Sequence, residues 1–210
     1  MGNTLRMKHA DPIDFYFDFL SMYGYFASLR IEGIAARHGR VVRWHSMLLG
    51  VSVMKTMGLK PLLETPLKGD YVVRDSLRYV RRHGLTLARR PADPMMDPRP
   101  AARAFYWLRH EHPGTETAFA IEVLDRYWRL GRDLGEPAAV ADIAPLLGLG
   151  VDALREGMES DLARDALRTA VAASLERGVF GSPFFFVDDE PFWGSDRLEQ
   201  VDDWLGTGGW

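Results

Sequence analysis

The sequence of 210 residues contains no cysteine. Without a thiol, the chain forms no disulfide, builds no thiolate metal site and carries no cysteine nucleophile. It also lacks any apolar run approaching the ~20 residues that a membrane-spanning helix needs. A basic excess is missing as well, because the formal net charge is -3. These absences argue against disulfide chemistry, a membrane-spanning protein and a dedicated nucleic-acid binder.

Hydrophobic residues make up 47% of the chain, which is enough for a sizeable core. The length suits one large domain or two small ones. The first ten residues, Met1 to Ala10, lack the apolar core of a secretory signal. We therefore expect a folded protein in the cytoplasm.

The N-terminal part of the chain has the pattern of a strand, a helix and a second strand. Ile13 to Phe19 alternates apolar and polar residues, which predicts a strand. Ser21 follows, and helical spacing then continues to His38, before a glycine at a position typical of helix ends. Val41 to His45 predicts the second strand. Together they predict a parallel βαβ unit with a right-handed crossover.

The middle of the chain is helical in pattern, and strands return near the C-terminus. The predicted helices cover residues 68–82, 101–110, 116–134, 142–147, 152–158 and 161–176. Phe184–Val187 and Pro191–Trp193 then predict a hairpin, and residues 195–205 predict a closing helix.

Without its helical block the chain has the order βαβαββα, which is the layout of a thioredoxin domain. We predict an α/β fold in which residues 1–50 and 168–210 form a discontinuous thioredoxin-like domain. Residues 51–167 form an inserted all-helical domain, so that the architecture resembles DsbA. The reactive pair of a thioredoxin fold lies between the first strand and the first helix, where this chain has Ser21–Gly24. A disulfide oxidoreductase is excluded, because thiol exchange needs a thiolate.

Ser21 lies where the first strand passes into the first helix. The unpaired N–H groups and the dipole at a helix start favour an anion. Serine is also a preferred N-cap, so a purely structural role is the alternative. A thiol that acts at this site must arrive with a ligand, and glutathione is the obvious candidate. A serine hydroxyl at a helix start can donate a hydrogen bond to its thiolate.

Four motifs carry a family resemblance, and they occur in the order Asp14–Tyr25, Gly58–Tyr71, Val179–Val187 and Phe192–Leu198. Together they resemble the 2-hydroxychromene-2-carboxylate isomerases and the related kappa-class glutathione transferases. The resemblance implies a homodimeric, glutathione-dependent cis–trans isomerase of an aromatic-degradation intermediate. It implies reversible addition of the thiolate to an unsaturated carbon, with Ser21 as the catalytic residue that keeps the sulfur ionised.

The resemblance also implies a set of glutathione-binding residues. Lys68 matches a lysine that pairs with the glycyl carboxylate, as a compact point charge. Pro183 matches the proline that is cis in thioredoxin folds, and the backbone of Ser182 would pair with the cysteinyl residue. Ser195 and Asp196 match residues that hold the γ-glutamyl amino and carboxylate groups. Each also has an ordinary structural interpretation, as a solvated lysine, a loop proline or a helix cap.

Some positions depart from the family pattern. Leu59 stands where the family has an asparagine that contacts the ligand near the thiol, and Met22 replaces a proline after the serine. Two alternatives therefore remain: a kappa-class-like glutathione transferase, and a non-catalytic ligand-binding or interaction protein on the same scaffold. We expect no metal site, because His110 and His112 lie two positions apart on a helix and point away from each other.

Overall fold

The computed structural model describes residues 11–210. The first ten residues, on which the expectation of a cytoplasmic location rests, lie outside this range. Within it, no helix is both long and apolar enough to cross a membrane.

One mixed sheet of four strands forms the centre of the fold, in the order β2-β1-β3-β4. β1 (Ile13–Phe17) runs parallel to β2 (Val42–Ser46) and antiparallel to β3 (Phe184–Val187). β3 pairs with β4 (Glu190–Trp193) as an antiparallel hairpin. The predicted parallel βαβ unit and the predicted hairpin are confirmed.

The connection between β1 and β2 contains two helices, α1 (Met22–Ser28) and α2 (Ile31–Arg37). The prediction of one continuous helix to His38 is therefore wrong. The Ser28 hydroxyl donates to the Tyr25 carbonyl at 2.7 Å. Such bonding back to the preceding turn bends helices. Gly39 follows α2 with a φ of 64°, as predicted for a residue just past a helix end.

Seven further α-helices follow in the described part of the chain: α3 (Lys68–His83), α4 (Arg99–Glu111), α5 (Glu116–Leu124), α6 (Pro137–Ala141), α7 (Val151–Glu159), α8 (Asp161–Glu176) and α9 (Leu198–Thr207). Two π-helical segments, Gly50–Thr56 and Asp125–Arg129, and three 3₁₀ turns, Leu62–Glu64, Ala144–Leu147 and Ser195–Arg197, complete the helical structure. All of the predicted helical regions contain helical structure.

The differences from prediction have local causes. The helix predicted over 116–134 stops early, because α5 passes into the π-helical segment Asp125–Arg129 and Gly131 then turns the chain with a φ of 68°. The segment Gly50–Thr56 and helix α6 were not predicted. The predicted boundary between residues 167 and 168 falls inside the continuous helix α8, and the division into two domains remains a prediction.

Aromatic side chains join the sheet to the helical block. Phe15, Phe17 and Phe185 are completely buried, and the Phe15 and Phe185 rings stack at 5.2 Å between centroids. The Phe17 ring meets Phe105 of α4 edge-on at 5.6 Å. Burying a phenylalanine side chain contributes roughly 1.5–3 kcal/mol. This packing anchors the end of β1, from which the candidate site begins.

Candidate active site

Ser21 forms the N-cap of α1, because its Oγ accepts a hydrogen bond from the Gly24 backbone N–H at 2.9 Å. The structural role considered for Ser21 is therefore confirmed. The same hydroxyl donates to the Ser182 carbonyl at 2.9 Å. A carbonyl oxygen only accepts, so the Ser21 proton points toward Ser182. Ser21 thus caps α1 and contacts the loop before β3 at the same time.

That loop contains the cis peptide bond between Ser182 and Pro183, as the resemblance implied. The Ser182 hydroxyl accepts the backbone N–H of Asp18 at 2.9 Å. Its backbone N–H, in contrast, has no acceptor within residues 11–210. The Pro183 carbonyl accepts the backbone N–H of Gly194 at 3.0 Å. The loop is therefore fixed on both sides, and one backbone donor is left available.

Gly24 allows Ser21 and Ser182 to approach each other. A Cβ added at Gly24 would lie 2.9 Å from the Ser182 Oγ and 3.1 Å from the Ser21 Cβ. The first distance is shorter than side chains tolerate, so a larger residue would push the two serines apart.

Ser195 and Asp196 lie in the 3₁₀ turn that packs against α1. Ser195 is only 5% exposed, and its hydroxyl has no hydrogen-bond partner in the part of the chain that the structure describes. The Asp196 carboxylate is exposed and pairs with Arg197 at 3.2 Å. It also lies near the Tyr23 phenol, since it contributes to the raised pKa of Tyr23. The turn therefore places a free hydroxyl and a carboxylate beside α1.

A hydrogen bond joins α1 to α3, the helix that begins at Lys68. The Tyr23 hydroxyl donates to the Asp75 carboxylate at 2.8 Å. Burial, and then this carboxylate, raise the pKa of Tyr23 well above its usual range. Lys68 lies two helical turns, about 10 Å, before Asp75. It is exposed and forms no ion pair within residues 11–210.

Asp18 is a site residue that the sequence analysis did not single out. Its side chain is completely buried, and its two oxygens accept the backbone N–H groups of Leu20 at 2.8 Å and Leu49 at 2.6 Å. Burial raises the pKa of Asp18 to about 6, although the two N–H donors act in the opposite direction. The sequence signal that could have identified Asp18 is its position at the end of an aromatic strand, three residues before an N-cap serine.

Trp128 is a second residue that supports the site. It lies in the π-helical segment Asp125–Arg129, and its indole N–H donates to the Phe19 carbonyl at 3.2 Å. The helical block thereby holds the loop that carries Ser21. The sequence offered no signal for this bond, because the partners lie 109 positions apart.

The departures from the family pattern lie on exposed and buried positions alike. Leu59 is 53% exposed, whereas Met22 is 6% exposed.

The His110 ring contacts its neighbour Glu111 at 2.8 Å. Within residues 11–210, no group of three or more histidine and acidic side chains is arranged to hold a metal ion.

The comparison with protein families decides the fold. A family model described as a DSBA-like thioredoxin domain matches residues 12–206. The chain belongs to this family. The predicted α/β thioredoxin fold with a DsbA-like architecture is confirmed.

The chain is also similar to three curated proteins named 2-hydroxychromene-2-carboxylate isomerase. It is 29% identical to the one from Sphingobium xenophagum, over 92% of this chain and 97% of the relative. The relative from Pseudomonas putida is 28% identical, over 92% of this chain and 94% of its own length. The resemblance to the 2-hydroxychromene-2-carboxylate isomerases that the four motifs indicated is confirmed.

Solved structures agree with this placement. A structure of a 2-hydroxychromene-2-carboxylate isomerase is 27% identical, with a TM-score of 0.77 over 92% of this chain and 94% of that chain. The cytosolic disulfide reductase DsbM from Pseudomonas aeruginosa is 20% identical, with a TM-score of 0.63 over 93% and 95% of the two chains. The latter similarity shows a shared fold alone.

Proposed function

We propose that this protein is a glutathione-dependent cis–trans isomerase that acts on 2-hydroxychromene-2-carboxylate or a close relative. The similarity to proteins of that name supports an enzyme of the isomerase type. The observation that carries the proposal is the Ser21 hydroxyl, which faces the cis Ser182–Pro183 bond where redox relatives of this fold place a cysteine. Oxidoreductases share the fold, but a chain without cysteine cannot exchange disulfides.

The unengaged polar groups fit glutathione. The Ser182 backbone N–H, the Ser195 hydroxyl and the Lys68 ammonium group have no partner within residues 11–210. Glutathione offers matching acceptors in its cysteinyl carbonyl, its γ-glutamyl carboxylate and its glycyl carboxylate. The Asp196 carboxylate complements the γ-glutamyl ammonium group. We assign these residues to glutathione binding on this complementarity.

Glutathione would supply a thiolate that adds reversibly to an unsaturated carbon of the substrate, which makes a double bond rotatable. Ser21 would donate its hydroxyl hydrogen bond to the sulfur, and for this it must turn away from the Ser182 carbonyl. That carbonyl then accepts the cysteinyl N–H in its place. Because α1 has only seven residues, the hydroxyl, more than the helix dipole, would keep the thiol pKa low.

Recognition of the second substrate differs from the family pattern at one position. Leu59 has no hydrogen-bonding side chain, and half of its surface is exposed. Contact at this position is therefore apolar, which suits the ring of an aromatic substrate better than its carboxylate.

The experiment that tests the proposal compares Ser21→Ala with Ser28→Ala. Ser28 is a buried serine of the same helix whose hydroxyl bonds only within α1. We expect Ser21→Ala to raise the pKa of the bound thiol and to lower kcat by roughly 100-fold, as for other losses of one donor to a developing anion. The affinity for glutathione should change by only about threefold. Thiolate absorbance against pH, calorimetry and steady-state isomerisation measure the three quantities.

Three results would contradict the proposal or redirect it. Isomerisation that continues after complete removal of glutathione would rule out the mechanism. A stable glutathione adduct, in place of an isomerised product, would indicate the transferase alternative. The absence of binding at millimolar glutathione would leave only the non-catalytic alternative.

A further inference from the structure

Asp18 connects three segments of the chain at the candidate site. Its carboxylate accepts the N–H groups of Leu20, in the loop before α1, and Leu49, in the segment after β2. Its backbone carbonyl accepts the N–H of Ser21 at 2.9 Å. Its backbone N–H donates to the hydroxyl of Ser182, the residue before the cis bond.

We propose that Asp18 is a positioning residue whose ionised carboxylate holds the Ser21 loop against the segment after β2, while its backbone N–H holds Ser182 beside that loop. The proposal rests on the proposed function, because the groups that it positions are the ones assigned to the thiol and the cysteinyl backbone of glutathione. Asp18 is completely buried and has no contact with the ligand in this assignment. It acts through Ser21 and Ser182.

The need for a carboxylate follows from the two donors. Both partners of the Asp18 side chain are backbone N–H groups, so both of its oxygens have to accept. An ionised carboxylate meets this requirement. A protonated carboxyl group or an asparagine amide turns one donor toward an N–H group and loses one bond. The Leu20 bond lies next to Ser21 in the sequence, so its loss would move the Ser21 hydroxyl.

The surroundings of Asp18 explain why this positioning is sensitive to pH. No cationic side chain bonds to Asp18 within residues 11–210, and burial raises its pKa to about 6. The other titratable group that faces it is the Tyr127 phenol of the π-helical segment, whose pKa is raised chiefly by burial and to a small extent by the Asp18 charge. Tyr127 stays neutral over the relevant range. The ionised state of Asp18 is therefore lost as the pH falls through about 6.

The first test compares Asp18→Asn with Asp14→Asn by steady-state kinetics of the glutathione-dependent reaction, from about pH 5 to about pH 8.5. Asp14 is a matched control, because it is a buried carboxylate four residues earlier that bonds to His45 and Arg177 instead of the site loops. We expect Asp18→Asn to lower kcat about tenfold at neutral pH, with a smaller change in KM for glutathione. The kcat of the wild-type protein should fall as the pH is lowered through about 6, and Asp18→Asn should lack this decrease. Asp14→Asn should keep the wild-type profile.

A second measurement needs neither the variant nor glutathione. The amide signals of Leu20, Leu49 and Gly24 are followed by NMR as the wild-type protein is titrated, since Gly24 reports on the Ser21 Oγ that it bonds. We expect all three to shift with one midpoint near pH 6. If Leu20 and Leu49 titrate while Gly24 does not, Asp18 does not position Ser21.

The two tests separate this proposal from the proposed function. A wild-type kcat and pH profile in Asp18→Asn, or amide signals that stay unchanged around pH 6, would overturn the role of Asp18. A wild-type protein that does not bind glutathione would overturn the proposed function. The amide titration would then still decide whether Asp18 positions Ser21.

Discussion

Asp14 and Asp18 are two buried carboxylates at opposite ends of β1, and their ionisation differs. Burial alone would raise the pKa of both carboxyl groups. At Asp14 the hydrogen bonds from His45 at 2.7 Å and Arg177 at 2.6 Å outweigh burial and lower the pKa to about 2. At Asp18 only two neutral N–H groups oppose burial, and the pKa rises to about 6. A cationic partner, more than burial itself, separates the two cases.

The two carboxylates also face different parts of the molecule. Asp14 and Tyr16 lie on the sheet face opposite Phe15, because successive residues of a strand alternate. There Asp14 joins β1 to Arg177 at the end of α8. Asp18 faces the loops of the candidate site. We infer that the first carboxylate stabilises the fold, whereas the second lowers stability at neutral pH and serves the candidate site.

The largest effect is expected on the Asp14 side. Asp14→Ala removes the partner of Arg177 and of His45, and we predict a loss of about 3 to 4 kcal/mol in the free energy of unfolding at neutral pH. The folded pKa of about 2 lies below the ordinary value of 3.8. The stabilisation by Asp14 is therefore present above that value and is lost as the pH falls toward 2. Urea unfolding of both proteins at several pH values measures the difference.

Asp161→Ala is the control for this variant, because Asp161 also pairs with an arginine but its side chain is 93% exposed. Its removal should change stability by less than about 1 kcal/mol. Equal effects of the two substitutions would show that the Asp14 ion pair contributes no more to the free energy of unfolding than an exposed ion pair does. The comparison between the ends of β1 would then fail.

The Asp18 side should show the opposite dependence on pH. The folded pKa of about 6 lies above the ordinary value of 3.8, so the folded state binds the proton more tightly than the unfolded state. Relative to Asp18→Asn, the wild-type protein should be most stable below that value and lose roughly 2 to 3 kcal/mol as the pH rises through about 6. Unfolding of the two proteins between about pH 4 and pH 7.5 tests this. A pH-independent difference would mean that Asp18 titrates normally.

The sequence predicted the elements whose signals are local. Alternation located β1, other local residue patterns located the remaining three strands, and a glycine marked the end of α2, where Gly39 adopts a positive φ. The break between α1 and α2 was missed, because the Ser28 hydroxyl bond is visible only in three dimensions.

The site was predicted unevenly for the same reason. The motifs identified Ser21 and Ser182, and the structure joins them by a hydrogen bond. The roles of Asp14 and Asp18 could not be separated, because both are acidic residues in one aromatic run. Their difference arises from partners far along the chain, such as Arg177, which lies 163 positions from Asp14.

A substitution at Gly24 tests the candidate-site end of β1 alone, and we expect a smaller effect from it than from the changes at Asp14 and Asp18. Gly24→Ala places a Cβ 2.9 Å from the Ser182 Oγ, and we predict a cost of about 1 to 2 kcal/mol in stability together with reduced turnover. Gly33→Ala is the matched control, because Gly33 lies on the exposed side of α2 with no atom within 4 Å of the added Cβ. It should stabilise the protein by about 0.5 to 1 kcal/mol and leave turnover unchanged. Denaturant unfolding and steady-state kinetics of both variants measure this. If Gly24→Ala behaves like Gly33→Ala, the close contact between Ser21 and Ser182 is not needed for activity. The position of Ser21 would then depend on the bonds of the Asp18 carboxylate to Leu20 and Leu49.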